Sequence, residues 1–169
     1  MLRYKIIRNL AYTLELLVLS TLQQIPGLFP EIWGARPVLL LATVLVIALF
    51  ETETTAMAFG IFGGLLIDFA GGGLLGFHGM ILAVLCYLLA TLYNGLIRAN
   101  LLTALLTGAV GILIVVLLQW MFFFVFKGYA HAGYALVHRY LPRFLYTFVF
   151  VLPLYYVNRA FSKLLRPAV

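Results

Sequence analysis

Apolar residues run along this chain in long stretches, separated by short charged or Gly/Pro-rich breaks. From Leu101 to Phe126 there is no charge, and Gln119 is the most polar residue. About 20 apolar residues match the roughly 30 Å hydrocarbon core of a bilayer. The pattern repeats and predicts six spans, at 9–28, 37–50, 54–70, 75–93, 101–126 and 144–161. Stretches such as Leu39–Phe50 and Leu141–Leu154 do not alternate, so they read as helices rather than barrel strands. The breaks suit helix ends. Pro26 and Pro30 close the first span, and Pro37 fits the first turn of the second. Glu51 and Glu53 precede the third, Gly71-Gly72-Gly73 ends it, and Asn94–Asn100 forms a polar turn.

These spans use most of the 169 residues and leave no room for a soluble catalytic domain. The expected fold is an all-α integral membrane bundle of six helices, one domain over 1–169. Composition agrees: 65% of residues are hydrophobic and 9% charged. The longest stretch outside the spans is Lys127–Arg143. There Tyr134, Val137, Tyr140 and Leu141 recur at helical spacing, with His138 and Arg139 on another face. This predicts a short amphipathic helix on the outer membrane surface. Arg3, Lys5 and Arg8 give the start the look of a signal peptide. Glu15, Gln23 and Gln24 follow, without a small-x-small cleavage site, so an uncleaved first span is expected.

The net charge of +6 reflects topology rather than nucleic-acid binding. Arg3, Lys5, Arg8, Arg98, Arg159, Lys163 and Arg166 fall on one side, and Arg36, Lys127, Arg139 and Arg143 on the other. The excess puts both termini in the cytoplasm.

Chemistry concentrates in the third span. Ala56, Gly60 and Gly64 lie four apart, Gly63 widens the groove, and Asp68 follows four residues after Gly64. Such a stripe lets another helix approach closely, whether the protein's own or a partner's. An acid within a span is costly and faces protein or water. Asp68 is expected to accept hydrogen bonds from the N–H groups of the Gly71–Gly73 turn, with ion or proton binding as the alternative. Glu53 suits a helix start. Glu51 and Glu53 together would also form an acidic contact for a basic cytoplasmic partner. Glu15 is expected to pair internally or face water. Cys86 is alone and reads as a packing residue, so no internal disulfide forms. His131 and His138 lack neighbouring ligands, and His78 reads as packing or capping. No metal, cofactor or catalytic motif is expected.

Between Pro37 and Tyr93 the chain reads PVLLLATVLVIALF, then GIFGGLLIDFAGGGLLGFHG, then an apolar span into YLLATLYNG. A Gly-rich helix ending in Gly64-x-x-x-Asp68, followed by Leu75-Gly76 opening the next helix, resembles the bacterial rod shape-determining protein MreD family. The resemblance implies a non-enzymatic inner-membrane subunit of the cell-wall elongation complex, supporting cell shape and peptidoglycan synthesis. It implies association with MreC, a single-span periplasmic protein, alongside MreB, RodA and a class B penicillin-binding protein. It also implies a fold similar to the six-helix substrate-binding subunits of energy-coupling-factor vitamin transporters. A vitamin-binding subunit of that fold is a rival, although span 1 lacks an Ala-x-x-x-Ala docking element. A second rival, an intramembrane enzyme or proton-coupled carrier, would use Asp68 and His78.

Overall fold

The computed structural model of the chain describes residues 2–32, 34–71, 74–95, 99–126 and 132–164. The helices are α1 (Leu2–Gln24), α2 (Leu39–Ala48), α3 (Glu53–Gly71), α4 (Phe77–Gly95), α5 (Leu101–Trp120), α6 (Ala132–Ala135) and α7 (Leu141–Leu164). A π-helical turn, Met121–Val125, extends α5, and a second, Leu136–Tyr140, joins α6 to α7. Among the described residues there is no strand, only an isolated bridge between Ile32 and Ala35.

Four helical stretches are long and apolar enough to cross a membrane: Glu53–Gly71, Phe77–Gly95, Leu101–Val125 and Gly133–Leu164. The other two expected spans differ for physical reasons. In α1, Arg3, Lys5, Arg8 and Glu15 lower the mean hydropathy, yet the charges are unevenly placed. Tyr12, Leu16 and Ser20 are buried, whereas Ile6, Ile7, Leu10, Leu14, Leu17 and Val18 are exposed. The outer face is therefore largely apolar, with Arg3 and Lys5 exposed at the helix start, while Arg8 and Glu15 find partners within the bundle.

The second helix is the centre of the bundle. Its ten residues are all buried, as expected of a helix that is apolar on every side. It is shorter than the expected 37–50 span, because Pro37 precedes the helix and the backbone turns after Ala48. Its two ends nevertheless reach across α1. The Leu39 N–H donates to Gln23 Oε1 at 2.9 Å, and Glu51 pairs with Arg8. From Arg8 to Gln23 an α-helix rises about 22 Å. The inner helix thus runs between polar ends without touching lipid. Its first free N–H groups are satisfied by side chains: Val38 N–H by Thr147 Oγ1 at 3.0 Å, and Leu39 N–H by Gln23. Buried helix ends require such partners.

Glycine notches seat this centre. A Cβ at Gly63 of α3 would strike Val44, and one at Gly111 of α5 would lie 2.8 Å from Leu45 Cδ1. Val44 and Leu45 are consecutive residues of α2, gripped from two sides. Gly108 of α5 receives Val151 of α7 in the same way.

The expected surface helix over 127–143 falls partly on residues 127–131, which lie outside the described residues. From Ala132 onward the chain is already a helical lead-in to α7. Tyr140 is buried there, its ring edge-on to Phe124 at 5.8 Å. Of the expected apolar face only Tyr140 packs on the bundle, whereas Tyr134, Val137 and Leu141 stay exposed, and a continuous last helix replaces a separate surface helix followed by a span from 144.

Candidate functional site

Polar side chains gather at both ends of the bundle. At one end, α3 gives way to α4. Asp68 is 4% exposed. Its carboxylate accepts the Gly76 N–H at 2.9 Å and the His78 N–H at 3.2 Å, and meets His78 Nδ1 at 2.7 Å. The acid therefore holds the start of α4, whose N–H groups have no partner within the helix. The acceptor role expected from the sequence is seen toward Gly76 and His78. Gly71 closes α3 itself, and Gly72 and Gly73 lie outside the described residues. Gly76 has φ +89°, a conformation that side-chain-bearing residues rarely adopt, which lets its N–H turn back onto the acid. His78, read beforehand as packing or capping, is the second half of this clamp.

Removing the clamp has a defined expected effect. Asp68→Ala strands two N–H donors and the imidazole, and should cost about 2–3 kcal/mol of stability. Asp68→Asn keeps one acceptor oxygen and should lose less. Thermal unfolding in detergent checks the order; an alanine variant as stable as wild type contradicts the clamp.

The small-residue stripe lies on the same helix. A Cβ on Gly60 would sit 2.6 Å from the Leu82 carbonyl oxygen, and one on Gly64 would overlap the backbone of Gly79 and His78. Ala56, Gly63 and Gly64 are buried. The face of α3 carrying Gly60 and Gly64 is thus occupied by α4 of the same chain, while Gly63 faces α2. The hypothesis of an open groove for a partner's helix at Ala56, Gly60 and Gly64 is corrected accordingly: an internal helix already fills it.

The second polar cluster lies at the opposite end. Arg8 Nη2 donates to Glu51 Oε2 at 2.8 Å, and the side chains are 14% and 2% exposed. Burial pushes the Glu51 carboxyl above its ordinary range, with Arg8 pulling it back. Deeper in, Asn158 of α7 donates to Glu15 Oε1 at 3.1 Å and to the Leu154 carbonyl at 2.9 Å. Asn94 closes α4 onto this end, donating to Glu53 Oε1 and the Glu51 carbonyl. Of the two acids expected at a cytoplasmic contact, Glu51 is thus turned inward and Glu53 stays at the surface. Asp68 and Gly76 belong to one cluster, and Glu51 and Glu53 to the other. Arg8, Asn158, Gln23 and Thr147 carry contacts that the sequence did not single out. A polar residue inside an apolar run, as Asn158 is, was the available signal.

Inward polar groups, a wholly buried central helix and outward apolar faces define an integral membrane protein of the helical-bundle class. Within that class, the chain belongs to the rod shape-determining protein MreD family, whose model matches residues 4–165. No curated protein and no solved structure matches it. The family is one of shape-determining membrane proteins of the rod complex.

Proposed function

We propose that this chain is a non-enzymatic membrane subunit of the bacterial cell-wall elongation complex, binding an MreC-type single-span protein and supporting peptidoglycan synthesis. MreB, RodA and a class B penicillin-binding protein are its further partners in this reading. It crosses the inner membrane six times, with both termini cytoplasmic, as one domain similar to the substrate-binding subunits of energy-coupling-factor transporters. The family match over residues 4–165 carries this reading. Both clusters also fit a scaffold, since Asp68 secures a helix start and Glu51 a buried ion pair.

With the glycine stripe occupied, the partner's helix needs another seat. Between α1 and α3 runs an open groove of about 480 Å³, lined by Asn9, Thr13, Thr54, Thr55, Ala58 and Phe62 among others. Small and hydroxyl-bearing residues favour helix association in lipid. We place the partner there. Ala58→Trp fills the groove from an exposed position, so copurification of the MreC-type protein should fall while thermal stability holds. Depletion in the host should round rod cells, and wild type but not Ala58→Trp should restore rods. Undisturbed cell shape on depletion removes the rod-complex reading. Full copurification by Ala58→Trp removes only the groove.

A further inference from the structure

At the Asp68 end of the bundle the helices part around a cavity of about 580 Å³. Arg36, Arg139, Arg143, Gln23 and Gln119 contribute its polar lining, and the Asp68–His78 pair borders it. The chain has only five acidic residues. Each is engaged: Glu15 by Asn158, Glu31 by Arg36, Glu51 by Arg8, Glu53 by Asn94 and Asp68 by His78. No acid remains for Arg139 or Arg143, and neither forms an ion pair among the described residues.

That arrangement is unfavourable unless something anionic joins it. The two arginines are four residues apart along one continuous helical stretch, where like charges repel. Arg143 is half-buried beside the cavity, and Arg139 is exposed at its rim. The N-terminal ends of α2 and α4 also meet this end of the bundle and add positive potential. Asp68 offers one negative charge at the border, bound to the Gly76 and His78 donors, and forms no ion pair with Arg139 or Arg143.

Guanidinium forks match the oxygens of a phosphate, and two forks suit a group carrying more than one negative charge. Ile67, Leu74, Phe77 and Phe123 supply an apolar wall beside them. The volume lies within the range of small-molecule sites, roughly 300–1,000 Å³. We propose that this cavity binds a phosphate-bearing ligand through Arg139 and Arg143. A lipid headgroup and a free organic phosphate share that chemistry.

The test uses the full chain in neutral detergent, with binding read by titration calorimetry. The probes are dioctanoyl phosphatidic acid, dioctanoylglycerol without the phosphate, and glycerol 3-phosphate. Phosphatidic acid should bind at least about tenfold more tightly than dioctanoylglycerol, and Arg139→Gln/Arg143→Gln should lose about that factor. Glycerol 3-phosphate binding as tightly as phosphatidic acid identifies a free phosphate, and preference for phosphatidic acid identifies a lipid headgroup. Both support the site. Failure of both phosphate probes to bind overturns it, as does equal affinity of dioctanoylglycerol and phosphatidic acid or unchanged affinity in the folded double variant. If that variant does not fold, the wild-type comparison decides, together with weakening of phosphate binding as salt is raised.

Discussion

Gly64→Leu should destroy the folded bundle, lowering stability by about 3 kcal/mol or more. The reason is specific to the site. Even a single Cβ there overlaps the backbone of Gly79 and His78, and backbone within a helix cannot swing aside as a side-chain tip can. Three further heavy atoms would force α4 away from α3 and, with it, break the Asp68 bonds to Gly76 and His78. Size-exclusion in detergent should show aggregate in place of a monodisperse peak, and any residual folded fraction should melt well below wild type. Gly71→Ala is the matched control, since a Cβ there meets nothing within 4 Å. It should be neutral or slightly stabilising, by up to roughly 1 kcal/mol. A Gly64→Leu protein as stable as that control contradicts the close α3–α4 packing.

The same contact explains what the sequence could and could not convey. Four-residue spacing of Ala56, Gly60 and Gly64 announces a close helix approach, but identical spacing serves an internal neighbour or a foreign one. Only the three-dimensional path of α4 decides between them. Hydropathy located helices near each expected span because apolar length is a local property. It could not show that α2 is central, since an apolar helix wholly within protein and one facing lipid read alike. The polar residues of α1 had the opposite problem. Arg8 was informative as a topology charge, but its role as the partner of Glu51 depends on α1 meeting the link between α2 and α3, 43 residues along the chain. Asp68 was the most readable site residue, because an acid just before a glycine-rich break has few places to put its charge. The described hydrogen bonds of its carboxylate go to Gly76 and His78, at the start of the following helix. The cationic cavity is assembled from α1, α3, α4, α5 with its π-helical turn, the chain before α2 and the start of α7 with its lead-in, so no single stretch announces it.

Arg8→Ala should be the most damaging single change at the other end of the bundle. Glu51 is 2% exposed, so losing its guanidinium partner leaves a buried charge without compensation, at a cost of about 3–5 kcal/mol. The penalty should depend on pH in a definite direction. Burial already raises the Glu51 carboxyl above its ordinary range even with Arg8 present, so the folded state holds that proton more readily than the unfolded chain does. Stability from this group therefore falls as pH rises through the window between the unfolded and folded values. Without Arg8 the folded value rises further and the window widens. The Arg8→Ala deficit should thus grow as pH rises through that window and shrink as pH falls below it, where Glu51 folds in its neutral form. Chemical unfolding of both proteins across that range measures it. Replacing the pair together, as Arg8→Met with Glu51→Leu, should recover most of the loss, because apolar side chains of similar size need no partner. A deficit that grows in acid, or a double variant no better than Arg8→Ala, would show that the two charges do not depend on each other inside the bundle.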